Sequence, residues 1–362
     1  MTLPSSGSLS FTQIITEFGN LGTLGNYRVN QSIGGKSWTL DENVPTSGPI
    51  SFGNLRGKRR NIVVDCYSSG GSRVSAGNRS RTTVGGGPIS TSGSRLIIYV
   101  NNTFITTAGG GITKSALRTG GFSNAAKMDI IMGNSGKICG AGGNAGEGTA
   151  NTGNAGSTGT SALGLQRSVE EIVLSSLSVI RAGSGGGGGG GAGAGEQNNS
   201  REYAGGGGGA GGAGQPAGAG GSGGNTADPG HGKSIVNNSN SGDSGDANDG
   251  GTGGNGALAS DHEEKAAGGG GGGGGSWGGD GGNGGEGGEG NNNSGEDGGG
   301  GNTVGGGGGG GKGDGNGNGQ VSADGGGAGG SGYSITSVSG ATIPGVSGGT
   351  VQGPTGAEQG VS

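Results

Sequence analysis

The side chains in this chain that could do chemistry are few and poorly placed for it. Asp261, His262, Glu263 and Glu264 are consecutive, a spacing that points ligands in different directions rather than at one metal ion. His231 stands apart from them. Asp243, Asp246 and Asp249 recur at every third residue. That is neither the D-x-D-x-D-G loop with a closing glutamate that calcium requires nor the nine-residue pattern of a calcium roll. No nucleophile is set beside a base, and the many G-x-G-x-x-G matches lack a strand–helix context. The chain is expected to be no enzyme, with no catalytic residue, cofactor or metal. Cys66 and Cys139 make no disulfide framework; free thiols in a reducing cytoplasm are expected, with pairing of the two as the alternative. What is left is contact chemistry. Tyr203, Trp277 and Tyr333 offer area with a polar tip, and His231, Asp261 and His262 add polar partners.

Those candidates sit in a setting with unusual physics. Glycine supplies 110 of 362 residues, aromatic residues 3% and charged residues 12%, far from ordinary globular usage. Glycine runs unbroken at 185–191, 268–275 and 305–311. No oily core can form there, and glycine loses more freedom on ordering than any other residue, so composition alone reads as a flexible spacer. Spacing argues otherwise. Asp243, Asp246, Asp249, Thr252 and Asn255 fall at every third position, and so do Asp280, Asn283, Glu286 and Glu289. Ala210, Ala213, Pro216, Ala219, Ser222 and Asn225 repeat the pattern, with Gln215 and Ala217 intruding. A period of three fits neither a strand nor an α-helix. It is the turn of the left-handed polyproline-II-type helix, which makes no internal hydrogen bonds. Bare glycine lets such helices approach closely, pair N–H with C=O and add weak Cα–H···O contacts. A packed lattice of polyglycine-II helices is expected over 183–332, with the pure glycine runs inside and the period-three tracts on its faces. The interruptions at 196–204, 225–241, 257–267 and 276–277 become its loops, and loops on a rigid scaffold are where recognition usually sits.

The remainder of the chain mounts this slab. Basic residues outnumber acidic ones in 1–182 and the reverse holds in 183–332, within a formal net charge of −5; an acidic slab is no partner for nucleic acid. No stretch has the length of a membrane span, and the N-terminus lacks the apolar core of a signal peptide. Ser10 with Gln13 predicts a capping box. Phe11, Ile14, Ile15 and Phe18 predict one apolar helical face ending at Gly19, too short to be stable alone and therefore a candidate docking face. Strands are predicted at 61–67, 94–100, 103–107 and 127–132, with Asn101-Asn102 as a hairpin turn. Twice a strand (128–132 and 171–174) leads to an isoleucine (Ile138, Ile180) and then to glycine, as though the chain turned from β pairing into the lattice, came back, and entered again. Residues 333–362 regain Ile, Val and Thr and read as a strand or strap returning over the slab. The fold class expected is mainly β plus polyglycine-II: a small N-terminal helix and β module, then a packed bundle or layered sandwich of glycine-rich left-handed threefold helices. Its divisions are 1–60 (attachment module), 61–135 (small β domain), 136–182 (transition with return strand), 183–332 (glycine domain with loops) and 333–362 (strap).

Two stretches resemble known families. The short helix followed by VPTSGPISFGNLRGK resembles N-terminal modules of structural and fibre proteins of tailed bacteriophages, which implies a role in seating the chain on a fibre or other virion protein. The pattern IIMGNSGKICGAGGNAGEG, then SAL, then VIRAGSGGGGGGGAGAG resembles the glycine-rich repeats of T-even-type distal tail-fibre adhesins. That resemblance implies a polyglycine-II sandwich whose loops meet a bacterial surface receptor, an outer-membrane protein or glycan. The loops here carry fewer aromatic residues than it implies. The expected function is a phage receptor-binding protein, a tail-fibre tip adhesin located in the virion tail and assembled in the host cytoplasm, with no membrane insertion. Tyr203, His231, Asp261, His262, Trp277 and Tyr333 are its candidate receptor contacts, and Phe11, Ile14, Ile15 and Phe18 its candidate fibre contacts. The alternative is a structural virion protein, a fibre segment or baseplate decoration in which the slab is a rigid spacer.

Overall fold

The computed structural model describes residues 3–28, 31–33, 36–38, 44–66, 74–75, 81–83, 95–105, 115–119, 127–149, 152–197, 200–224, 234–237, 239–260, 265–267, 271–275, 297–301, 324–337, 341–352 and 355–357. The chain is mainly β, with little helix.

Helix α1 (Phe11–Phe18) opens with the expected capping box. Ser10 Oγ accepts from the Gln13 N–H at 3.2 Å, and Gln13 Oε1 accepts from the Ser10 N–H at 2.8 Å. It closes at Gly19, whose φ of 85° only glycine adopts freely. A 3-10 turn (Leu24–Arg28), an antiparallel pair β1 (Gln31–Ile33) and β2 (Lys36–Trp38), and a one-turn helix α2 (Phe52–Leu55) follow. These elements have a core of their own, with Ile14, Phe18, Tyr27 and Leu55 fully buried beside Leu3, Leu9 and Val44. The Tyr27 hydroxyl donates to the Gly19 carbonyl at 2.8 Å, so the helix end is held by a group buried on its apolar side.

From Ile62 the chain winds as a three-sided coil. β3 (Ile62–Cys66), β4 (Val74–Ser75) and β5 (Arg81–Thr83) begin it. One turn is β6 (Arg95–Val100), β7 (Thr103–Ile105) and β8 (Ser115–Arg118); the next is β9 (Lys127–Met132), β10 (Lys137–Cys139) and β11 (Ser161–Leu165). Then come β12 (Glu171–Leu174) and β13 (Val179–Arg181) and, after a long excursion that contains β14 (Gly193–Gln197), β15 (Ser200–Ala204), β16 (Ser234–Asn237), β17 (Leu258–Ser260) and β18 (Lys265–Ala267), β19 (Ile335–Ser337), β20 (Val346–Ser347), β21 (Thr350–Gln352) and β22 (Thr355–Ala357). Successive turns stack in parallel to make three sheets, ordered β20-β12-β9-β6-β3-β5, β21-β13-β10-β7 and β22-β19-β11-β8-β4, in which the pairing of β3 with β5 is antiparallel. Inward side chains align in columns: Ile98 beside Ile130 beside Ile172, Phe104 beside Ile138 beside Ile180, and Leu117 beside Leu163 beside Ile335. All nine are buried in one core. Because inward positions alternate along each strand, a one-residue slip would expel a whole column.

Three expectations differ from this arrangement. Asn101-Asn102 is not a hairpin turn: β6 and β7 belong to different sheets, and the pair marks a corner of the coil. Of the strand and the strap expected at the C-terminus, the described residues form strands: β19 to β22 complete the three sheets, and Ile335 lies in the coil's core. The strands on either side of the expected division at 135 likewise belong to one turn.

The excursions leave the coil at one corner. Segments 140–149 and 152–160 run out and back between β10 and β11, and residues 182–334 intervene between β13 and β19. Segment 204–214 shows how the glycine region is held. Its Gly206, Gly209, Gly212 and Gln215 donate to Thr149, Gly146, Gly143 and Gly140. Its Gly208, Gly211 and Gly214 donate to Asn240, Asp243 and Asp246, and its Ala210 and Ala213 to Gly272 and Gly275. Its carbonyls accept from Ser184, Gly187 and Gly190 on one side, Gly218, Gly221 and Gly224 on the next, and Gly251, Gly254 and Ala257 on the third. These bonds measure 2.8 to 3.3 Å and repeat every three residues. Six extended segments thus surround this one, and each is bonded to the next around the ring, as Gly143 to Ser184, Gly272 to Gly188, Gly271 to Gly254, Asn240 to Asn255, Gly242 to Gly221 and Ala145 to Ala219. Glycine is required by the closeness of approach: a Cβ at Gly187 would lie 2.1 Å from the Gly272 oxygen.

Residues 185–191 are buried, and Asp243, Asp246, Asp249, Thr252 and Asn255 are exposed. The tract from Ala210 to Ser222 behaves differently from its expected place on a face. Ala210 and Ala213 are buried in the surrounded segment, whereas Ala219 and Ser222 are exposed on the next. Gln215, an intrusion on the repeat, stands with Pro216 at the reversal between those two segments. The tract at Asp280, Asn283, Glu286 and Glu289 and the run at 305–311 lie outside the described residues.

Candidate functional site

The glycine segments have a coil end and a far end. Segment 182–192 follows β13 outward and ends in β14 (Gly193–Gln197), which turns back antiparallel as β15 (Ser200–Ala204) into segment 204–214. Segment 216–224 runs outward, β16 (Ser234–Asn237) follows, and 239–246 returns. Segment 249–257 runs outward again to β17 (Leu258–Ser260) and β18 (Lys265–Ala267), and 271–275 returns. Every described reversal at the far end except the tight turn near Thr149 therefore carries a strand. β16, β17 and β18 form one antiparallel sheet, and β14 and β15 lie against β17 and β18. Beneath them Ala204 packs on Ala257, both fully buried.

The described reversals at the coil end, at Gln215-Pro216 and at 246–249, are short turns. At the turn 246–249, Asp246 Oδ1 accepts from the N–H groups of Asn248 and Asp249, each at 2.6 Å, and these bonds hold its carboxyl below the usual range, the Asp249 bond most. Arg181, at the end of β13, donates to the Ala247 carbonyl and to Asn248 Oδ1, both at 2.7 Å, and ties this turn to the coil.

The candidate residues divide between the two ends. Tyr203 is on β15, opposite Ala194, at the far end. His231, Asp261, His262 and Trp277 lie outside the described residues. In the chain His231 precedes β16, and Asp261 and His262 fall between β17 and β18. Gly275, two residues before Trp277, donates to Gly185 and accepts from Ala213, at the coil end. Tyr333 is also at the coil end: its N–H donates to Ser161 Oγ at 3.1 Å, its carbonyl accepts from Ala162 at 2.8 Å, and its side chain is half-buried. Of the docking candidates, Ile14 and Phe18 are fully buried in their own module's core. Phe11 is half-buried and stacks on the exposed Phe52, ring centroids 6.2 Å apart, and Ile15 is half-buried.

Sequence reasoning overlooked two features. The turn between segments 140–149 and 152–160 also reaches the far end, where Thr149 Oγ1 donates to the Thr152 carbonyl at 2.8 Å and the Thr149 carbonyl accepts from Gly206; the change of direction between two period-three stretches was its signal. The other is Asp129 on β9. Its side chain is fully buried and paired with Arg95, and Glu170 bridges Arg95 and Lys127 at 3.5 and 3.0 Å. Burial pushes the Asp129 carboxyl up to about 6, against the pull of Arg95. Both cysteines are buried and neither is in a disulfide, and burial raises the Cys139 thiol. Among the described residues no three of His, Cys, Asp and Glu converge as a metal site would require.

No family model and no curated protein matches the chain. Among solved structures it is similar to the gp37–gp38 adhesin tip complex of the bacteriophage S16 long tail fibre. The identity is 13%, with 86% of this chain and 89% of that one covered, at a TM-score of 0.29. An overlap so loose carries no argument about function.

Proposed function

We propose that this chain is a tail-fibre tip adhesin of a tailed phage, seated on the virion by its N-terminal module and presenting the far end of a polyglycine-II lattice to a bacterial surface receptor. The observation that carries the reading is the segment 204–214, bonded through its backbone to six neighbours with a three-residue repeat. Such a repeat is what threefold left-handed helices would make. A lattice of this kind is rigid without an oily core, and it brings the hairpins β14–β15 and β17–β18, with β16, to one end. Loops held in advance lose little freedom on binding, so weak contacts can add. The resemblance of the glycine repeats to T-even-type adhesins points the same way.

In this reading the chain is no enzyme, its place is the virion tail, and recognition belongs to the far end. Tyr203, His231, Asp261 and His262 are retained as receptor contacts, whereas Tyr333 stands at the coil end and Trp277 follows in the chain on Gly275, which is bonded there. The fibre or another virion protein meets the module through Phe11, Phe52 and Ile15, since Ile14 and Phe18 are spent on folding. Replacing residues 196–201 with two glycines, which leaves Ala204 on Ala257, tests the assignment. Adsorption of virions to their host should fall while the chain still assembles. Undiminished adsorption, repeated when 261–264 are replaced, would favour the rigid-spacer alternative.

A further inference from the structure

Segments 182–192 and 204–214 are joined at the far end by the hairpin β14–β15, so this hairpin stands on the segment that six neighbours surround. Its first rung sets its two faces. Ala204, opposite Gly193, packs on Ala257, the residue before β17. Successive residues of a strand belong to opposite faces, so Tyr203 and Arg201 share the face that Ala204 does not. Their cross-strand partners, Ala194 and Glu196, share it with them. Ala194 lies between Gly193 and Gly195, so the start of β14 has no large side chain to lay over a ring at position 203.

We infer that this face of the hairpin is a saccharide site, where a neutral pyranose of the bacterial surface stacks on Tyr203 while Glu196 and Arg201 bond its hydroxyls. Tyr203 is the only Phe, Trp or Tyr between Gly183 and Ser276. A protein receptor is gripped through several aromatic and arginine anchors gathered in a dry centre, and a single ring does not make one. For a sugar a single ring is enough. A pyranose has an apolar C–H face that matches an aromatic plane, and each of its hydroxyls both donates and accepts. A glutamate accepts and an arginine donates. Glu196 and Arg201 stand two positions from Tyr203 and its partner, roughly 7 Å along the strands, the span of one pyranose with its hydroxyls. Acidic residues outnumber basic ones over 183–332. That field disfavours uronic and sialic acids and leaves neutral sugars.

The inference rests on the reading of the far end as the recognition surface and names what that surface takes. One sugar makes a weak contact. A hairpin held by the lattice loses little freedom on binding, and a polysaccharide repeats its unit along its length, so a weak site meets its ligand at high local concentration.

Binding of the full-length chain to outer-membrane vesicles of the host tests the inference, with the vesicles untreated, oxidised with periodate to cleave sugar diols, or digested with protease. Binding should survive the protease and fall about tenfold or more after periodate. On untreated vesicles Tyr203→Ala should lose a similar factor while Tyr203→Trp keeps parental binding. Glu196→Ala, on the same face, serves as the second variant if amide exchange shows that Tyr203→Ala loosens 204–214. Competition by purified lipopolysaccharide or capsular polysaccharide identifies the source of the sugar, and binding that weakens steeply with added salt would overturn its neutrality. Binding lost to protease and kept after periodate would overturn the saccharide in favour of a protein. Parental binding by Tyr203→Ala, with loss when 196–201 are replaced, would overturn the role of Tyr203 and leave the far end standing. Parental binding after both changes would overturn the reading of the far end itself.

Discussion

At Gly187 the room for a side chain is taken by the Gly272 carbonyl oxygen, 2.1 Å from where a Cβ would stand, whereas at Gly327 nothing lies within 4 Å. Backbone cannot rotate out of the way as a side chain can. Gly187→Ala should therefore cost about 2 kcal/mol or more, as overpacking does, and Gly327→Ala should stay within about 0.5 kcal/mol of the parent. Denaturant unfolding of the two variants checks the contrast. Asp129 gives a pH dependence of known sign. Its carboxyl rises from 3.8 to about 6 in the fold, so the folded chain holds the proton more tightly than the unfolded one. Its contribution is then fully present below about 4 and is lost as pH rises through 6, a difference of at most about 3 kcal/mol. Asp129→Asn should flatten the thermal midpoint across that window; an equal slope in parent and variant would show that the burial of Asp129 has been misjudged. Neither residue was visible in advance. Glycine looks the same in a run whether its neighbour is water or a carbonyl, and Asp129 sits in a strand pattern that reads as apolar on both sides.

Elements were legible where the signal is local. Ser10, Gln13 and Gly19 bracket α1, because caps act over three or four residues. Ser10→Ala should lower the stability of the N-terminal module by about 1 kcal/mol. Its core is separate from that of the coil, so hydrogen exchange in β6 and β9 should not change. Strands β3, β6, β7 and β9 could be read from their Ile, Val, Leu and Thr content, whereas β4, β5 and β8 could not, and neither could the corner at Asn101-Asn102, since a turn residue does not say whether the next strand pairs with the last one. The spacing of Asp243, Asp246, Asp249, Thr252 and Asn255 announced a three-residue repeat because side chains longer than a methyl find room only where a segment faces water. The reversal at Gln215 and Pro216 was hidden by the same regularity, Pro216 falling in phase with the alanines before it.

At the scale of the whole molecule the sequence was mute on closure. That Ile335 returns to stack on Leu163 after the entire glycine excursion is a long-range parallel pairing with no local mark. Which end of the lattice a loop occupies depends on how many segments precede it, and that number cannot be counted inside unbroken glycine; hence Trp277, chosen for its chemistry, follows a segment that ends beside the coil. The account as a whole requires backbone pairing between glycine segments to do what an apolar core does elsewhere. Native-state amide hydrogen exchange over 182–192 and 204–214 tests that requirement most directly. The account predicts protection approaching that of β6 and β9 in the coil. Exchange at the rate of a free peptide, with the coil still protected, would contradict it.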